Sequence, residues 1–183
     1  MFKNFLTFLL LFFFSSNILF AEMINDVKVA GNKRLSAKTI EVIGQIEKNS
    51  EYNQERINNL VKELYSSNFF KDIEIEINDN TLIVNVVENP IIEELKITGI
   101  KKDEFREFIE ENISLKNRKS FVEYNLKSDL NMINNILKRN GYYFSKVDAS
   151  QIFQESTNSI TLIIDIDLGN KASINNINFI GDK

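Results

Sequence analysis

A ten-residue phrase occurs three times in this chain of 183 residues, and that recurrence limits the possible folds more than any other feature. It runs from Ile24 to Lys33, from Ile92 to Lys101 and from Ile174 to Lys183. Each copy has apolar residues at its first, fourth and sixth positions, glycine at the eighth and lysine at the tenth. The fourth and sixth residues (Val27 and Val29, Leu95 and Ile97, Ile177 and Phe179) alternate with polar neighbours. That is the period of a strand with one buried face. Gly31, Gly99 and Gly181 follow, where a left-handed turn out of the strand costs little. A phrase repeated at domain-sized intervals predicts a tandem array.

The residues between the copies keep one order. In the first interval Ser36 caps a short helix over 37–45 with Ile40 and Ile43 inward. Asn53 caps a second helix, where Ile57, Leu60, Val61, Leu64 and Tyr65 form an amphipathic stripe that Asn68 ends. After Phe69 and Phe70, Ile73, Ile75 and Ile77 alternate with Glu74 and Glu76; 78–80 is a turn and 81–87 a nearly continuous apolar strand. Glu88-Asn89-Pro90, with the single proline of the chain, closes the unit. In the second interval Asp103 caps a helix bearing Phe105, Phe108 and Ile109 on one face. Ser120 to Glu123 reads as a capping box for a longer helix with Leu126, Leu130, Ile133 and Leu137 inward. Gly141, the pair Tyr142 and Tyr143, a weaker strand over 147–153, a turn at 156–159 and an apolar strand over 160–168 follow, with Gly169 at the boundary.

Each unit therefore reads β-α-α-β-β, an α+β fold with two helices covering one face of a three-stranded sheet. The third strand is the most apolar and is expected in the centre, with the first and second as edges. The aromatic pairs are expected in the core beneath the second helix. Gly31 to Leu64 is 33 residues and Gly99 to Leu137 is 38; such extra residues are expected to lie in connections. The expected organisation is 1–21 leader, 22–90 first unit, 91–171 second unit and 172–183 the first strand of a third. One strand cannot bury Ile174, Ile177 and Phe179 alone, so the chain reads as the front of a longer array.

The leader expectation rests on Lys3, on the apolar run from Phe5 to Phe14 broken only by Thr7, and on Ala21 before Glu22 as the cleavage position. The run is short for a membrane span, which favours export and cleavage over an anchor. With 26 acids, 22 bases and a net charge of −4, the balance does not suit a nucleic-acid surface. There is no Cys, His or Trp, which removes thiol nucleophiles, Cys/His zinc sites and Ser-His-Asp triads. The acid pairs Glu74/Glu76 and Asp165/Asp167 read as wet strand faces. Lys33 and Lys101 read as surface charges. No catalytic residue, cofactor or metal is expected, and the chain is not expected to be an enzyme.

The stretch Val-Lys-Val-Ala-Gly-Asn-Lys-Arg-Leu-Ser with Thr39-Ile40, over 27–40, Leu64-Tyr65 with Asn68-Phe69-Phe70 and Asp72-Ile73, and Val87 to Pro90 together resemble the POTRA domain of the Omp85 family. The resemblance covers about residues 23–183. Asn68 stands where glycine is usual, and Leu168 to Lys171 lacks an aromatic residue often found there. The resemblance implies a place on the periplasmic side of the outer membrane, in β-barrel protein assembly and membrane insertion. It implies unfolded outer-membrane β-barrel proteins and accessory lipoproteins of the assembly complex as partners, and membrane association through a barrel absent from this chain. Substrate would join by β-augmentation at Ile73, Glu74, Ile75, Glu76 and Ile77 or at Val147, Ala149 and Gln151. Asn89 and Pro90, and Gly169 and Asn170, would be the joints, the second the looser. The rival readings are a related transporter of the TamA or two-partner secretion type, an anchored division protein of the FtsQ type, a secreted enzyme and a ferredoxin-like nucleic-acid module.

Overall fold

The computed structural model describes residues 21–178, 180 and 181; the leader over 1–20 and the expectations for Phe179, Asp182 and Lys183 lie outside them. There are two compact units, one holding the chain up to Ser67 with Asp72–Val87 and the other Asn68–Lys71 with the chain from Glu88 on. The first contains β1 (Glu22–Ile24), β2 (Asp26–Ala30), α1 (Ala37–Ile43), β3 (Ser50–Tyr52), α2 (Gln54–Ser66), β4 (Phe70–Asn78) and β5 (Thr81–Glu88). The second contains β6 (Ile91–Thr98), α3 (Asp103–Asn112), α4 (Glu123–Arg139), β7 (Lys146–Gln154), a 3-10 turn (Glu155–Thr157) and β8 (Ser159–Asp167). The strand orders are β2-β5-β4 and β6-β8-β7, so the most apolar strand is central in each sheet, as its composition requires.

The central strands carry the cores. Leu82, Val84 and Val86 of β5, and Ile160, Leu162, Ile164 and Ile166 of β8, are buried at every second position. Ile40, Leu60 and Leu64 are buried in the first helix layer, and Ile109, Leu126, Ile133 and Leu137 in the second. Each such side chain contributes roughly 1.5–3 kcal/mol by leaving water. The first strands pair in parallel with the central ones, Val27 opposite Leu82 and Leu95 opposite Leu162.

The glycine of the repeated phrase does more than turn the chain. Gly31 has φ +80° and Gly99 φ +84°. A Cβ at Gly31 would lie 2.1 Å from the Val86 carbonyl oxygen, and one at Gly99 1.8 Å from that of Ile166. The first strand thus leaves the sheet against the backbone of the central strand, an approach that only glycine allows.

Helix starts follow the sequence in the first unit. Ser36 Oγ accepts the Thr39 N–H at 3.1 Å and Asn53 Oδ1 accepts the Arg56 N–H at 2.8 Å. They differ in the second. Asp103 is the first residue of α3 rather than its cap; its carboxylate pairs with Arg106 at 2.6 Å, and Lys102 stands at the cap without a side-chain bond. Ser120 is not a cap either. It forms a bridge with Ile91, the Phe121 N–H donates to the Pro90 carbonyl, and α4 starts at Glu123 after Val122. The helices end as expected, with Asn68 at φ +61° and Gly141 at φ +90°.

The aromatic pairs split. Phe70 is 3% exposed and Phe69 37%, their rings edge to face at 6.4 Å. Tyr142 packs on the second core beside Phe105, whereas Tyr143 is exposed. Phe108 and Tyr65, expected on buried stripes, are exposed as well. The extra residues are not confined to connections, since α4 has 17 residues against 13 in α2. Four residues are about one helical turn, so the insertion leaves the buried stripe on the same face.

Candidate binding edges

The two second strands, β4 and β7, are nine residues each and lie at sheet edges. Within β4, Ile73 is buried and Ile75 and Ile77 half-buried, while Glu74 and Glu76 project into solvent. Asp79 and Asn80, both at positive φ (47° and 59°), close the hairpin to β5, the geometry of a type I′ turn. Asn80 then serves the first strand: its carbonyl accepts the Asn25 N–H at 2.8 Å and its Nδ2 donates to the Met23 carbonyl at 2.6 Å. Asn158, at φ +47°, repeats this in the second unit, accepting the Ile91 N–H at 3.1 Å.

Within β7, Val147, Ala149, Gln151 and Phe153 lie opposite Ile166, Ile164, Leu162 and Ile160, and so face the helices. Val147 and Ala149 pack on the core; Gln151 and Phe153 are exposed despite facing inward, so the helix layer stops short of this end. Lys146, Asp148, Ser150, Ile152 and Gln154 occupy the other, open face.

The repeated phrases are less accessible at their starts. From Ile91 to Leu95, the edge of β6 is taken by residues 117–120. The Ile92 N–H donates to the Lys119 carbonyl (2.9 Å), Arg118 N–H to the Ile92 carbonyl (2.7 Å) and Leu95 N–H to Asn117 Oδ1 (2.6 Å). In the first unit β3 does the same for β1, and the Asn49 N–H donates to the Ile24 carbonyl at 2.7 Å. Asn49 and Arg118 both have positive φ (57° and 65°). These straps explain why the first residue of the phrase is apolar: Ile24 and Ile92 are fully buried beneath them. The sequence carried that signal, but one apolar residue three positions ahead of an alternating pair does not reveal its partner.

At the expected joints, Asn89 is buried and donates from its N–H to the Phe69 carbonyl (2.8 Å) and from Nδ2 to the Asn68 carbonyl (3.0 Å). Pro90 is half-buried. Gly169 has φ +59° and donates to Asp167 Oδ1; Asn170 is exposed, and the Ala172 N–H donates to the Gly141 carbonyl. Ala21 and Glu22, the expected cleavage position, are exposed, with Glu22 opening β1.

Several other polar groups are engaged in structure. Asp165 accepts from Thr98 at 2.5 Å on the open sheet face. Asp129, buried in α4, accepts from Ser114 N–H, Ser114 Oγ and Leu115 N–H at 2.8–3.0 Å, fixing the turn after α3. Lys48 lies 2.6 Å from Asp26; this hydrogen bond, the Val27 N–H and the Lys48 charge hold the Asp26 carboxyl below its ordinary pKa, and the same hydrogen bond with the Asp26 charge raises that of Lys48. One surface hollow of about 500 Å³ is lined by Tyr52, Arg56, Asn59 and Glu63; the Arg56 guanidinium there already stacks on Tyr52 and pairs with Glu47. Among the described residues no group of three or more acids gathers to hold a metal, and no helix is long and apolar enough to cross a membrane. What both units offer is backbone, along β4 and β7.

The POTRA family model, described as a surface antigen variable number repeat, matches residues 22–89 and 90–169. The outer membrane protein assembly factor BamA of Neisseria meningitidis serogroup B is 28% identical over 167 residues, covering 87% of this chain and 20% of the relative. BamA of Nitratidesulfovibrio vulgaris is 25% identical over 164 residues, covering 87% and 21%. The chain thus spans about a fifth of the length of these relatives. The solved N-terminal domain of Omp85 from Thermosynechococcus elongatus shares the fold with a TM-score of 0.53 at 14% identity, over 81% of this chain and 63% of that one.

Proposed function

This chain belongs to the POTRA family, and on that premise we propose that it is the substrate-receiving, periplasmic part of an outer-membrane β-barrel assembly factor. Unfolded barrel precursors add to β4 or β7 as an extra strand before membrane insertion, and the chain acts by binding, without catalysis. The observation that carries this reading is one nine-residue edge strand per unit, hydrogen-bonded on one side to the central strand. Such an edge offers main-chain donors and acceptors to any extended chain, so affinity depends little on the added sequence. That suits precursors whose common feature is strands of alternating polarity. Accessory lipoproteins and an outer-membrane barrel belong to the same reading, by likeness to the assembly factors named above. So does export by the leader, with Ala21 before the cut.

The test is a titration of the isotopically labelled chain, purified after export, with a ten-residue peptide of alternating apolar and polar residues. Amide shifts confined to 70–78 or 146–154 are expected. Shifts concentrated on the helices, or none at millimolar peptide, would overturn the proposal.

A further inference from the structure

The two free edges are not equivalent. On β4 the solvent-facing residues include Asp72, Glu74 and Glu76. Antiparallel pairing of β4 with a second β4 about its middle sets acid against acid: Glu74 on Glu74 and Asp72 on Glu76 when centred, Asp72 on Glu74 or Glu74 on Glu76 when shifted one step. Like charges directly opposite oppose pairing, and charge on an edge is a common guard against it. β7 lacks that guard. Its charges, Lys146 and Asp148, lie at one end, and Ser150 to Gln154 is uncharged. Ile152 and Phe153 there are 59% and 55% exposed, one on each face of the sheet.

We propose that β7 pairs antiparallel with β7 of a second copy of this chain, centred on Ser150, joining two sheets into one of six strands. The register follows from the residues. Centred on Ser150, all nine residues find partners: Lys146 faces Gln154, Val147 faces Phe153, Asp148 faces Ile152 and Ala149 faces Gln151. The two-fold axis stands perpendicular to the sheet, so inward residues meet inward residues and both helix layers stay on one side. The layers have room, because Gln151 and Phe153 face the helix side and remain uncovered. Each exposed Phe153 then lies on a Val147 that already packs against its own core. No like charges oppose each other. On the other edge of the sheet, residues 117–120 strap β6 from Ile91 to Leu95. This inference stands apart from the proposed function, although pairing would occupy the same edge.

The pairing makes a sign-specific prediction. Ile152 faces Asp148 twice in the symmetric dimer. Ile152→Lys therefore creates two opposite-charge pairs and tightens the dimer, whereas Ile152→Glu creates two like-charge pairs and weakens it. Each shift in dimer Kd is roughly fivefold. Sedimentation equilibrium of the chain, purified after export, across micromolar to millimolar concentrations reads both, with circular dichroism checking that each variant is folded. A reversible dimer with these opposite shifts is expected. A chain that is monomeric throughout overturns the proposal. So does an association that both substitutions weaken, which would be general apolar contact, or one that neither changes, which would use another surface. Binding of a strand peptide to β7 by a chain that never self-associates would also overturn it.

Discussion

Gly99→Ala tests the structural role assigned to the repeated phrase. Two costs are separable. The first is conformational: at φ +84° an L-residue pays about 1–2 kcal/mol. The second is steric, because the added Cβ would sit 1.8 Å from the carbonyl oxygen of Ile166 and 2.7 Å from its carbon. Ordinary contact is roughly twice the first distance, so β6 must move off β8 by roughly 2 Å at this point. The neighbouring pair Thr98 and Asp165 then loses ladder geometry. Weakening about two backbone hydrogen bonds adds roughly 2 kcal/mol, for a total near 3–4 kcal/mol. That is a large fraction of the 5–15 kcal/mol typical of a domain. Gly141→Ala supplies the control within the same unit. Its φ is +90°, but the Cβ would meet only the flexible Lys171 side chain, its nearest atom at 3.0 Å. It should cost about 1–2 kcal/mol, the conformational part alone. Urea unfolding followed by resonances of the second unit measures both, and their difference isolates the contact with Ile166. Equal losses in the two variants, or a loss below about 1 kcal/mol for Gly99→Ala, would refute the close approach as the reason for glycine.

Other consequences are open to simpler measurements. Asp129→Ala leaves the Leu115 N–H without its buried acceptor and should lower the stability of the second unit by about 2–4 kcal/mol in denaturant unfolding; Asp129→Asn, keeping one acceptor oxygen, should cost less. Lys102→Asp supplies α3 with the cap that Lys102 does not, and should raise stability by about 0.5–1.5 kcal/mol in the same assay. Asp26 is held below its ordinary pKa in the folded chain, so its stabilising effect is present above the unfolded value and disappears as pH falls through the folded one. Lys48 is raised, so its share is lost only as pH climbs through its folded value. NMR titration of Lys48→Met should return the Asp26 carboxyl toward its ordinary value.

Much of this fold was legible in the chain because its signals are local. Alternation over Ile73 to Ile77 and the apolar runs after Thr81 and Ile160 identify strands and even the central position, since a strand covered on both sides by neighbours can be apolar throughout. Ser36 and Asn53 could be named as caps because each acts on an N–H three residues away. Ser120 carried the same local pattern but failed as a cap. Its extended backbone is committed to Ile91, and Phe121, only 6% exposed, anchors that segment instead of opening a helix. The aromatic pair misled for a related reason. Adjacent residues entering a strand point to opposite faces, so Phe70 can be core only if Phe69 is not. The candidate edges could be listed from the sequence; their coverage could not, because the straps at 49–52 and 117–120 join residues far apart in the chain.

Those straps decide which backbone is available. Each unit has two edge strands by topology, and the repeated phrase forms one of them. Its first residue is not open to an added strand: Ile24 and Ile92 are paired with the segments around Asn49 and Arg118 and buried beneath them. The phrase that signals the repeat is thus occupied structurally at its start and constrained at its glycine by the central strand. On the proposed reading, binding falls to the second strand of each unit. There β4 carries alternating glutamates and β7 an uncharged end, so under the proposed self-pairing a shared architecture presents one edge guarded against a second copy and one open to it. Exchanging those characters should exchange the behaviour. Glu74→Ser with Glu76→Ile on β4 should create self-association at 70–78, and Ser150→Glu with Ile152→Glu should remove it from 146–154. Amide shifts on self-association would show the exchange, and a chain whose self-associating edge stayed at 146–154 after both changes would mean that side-chain charge does not select the edge.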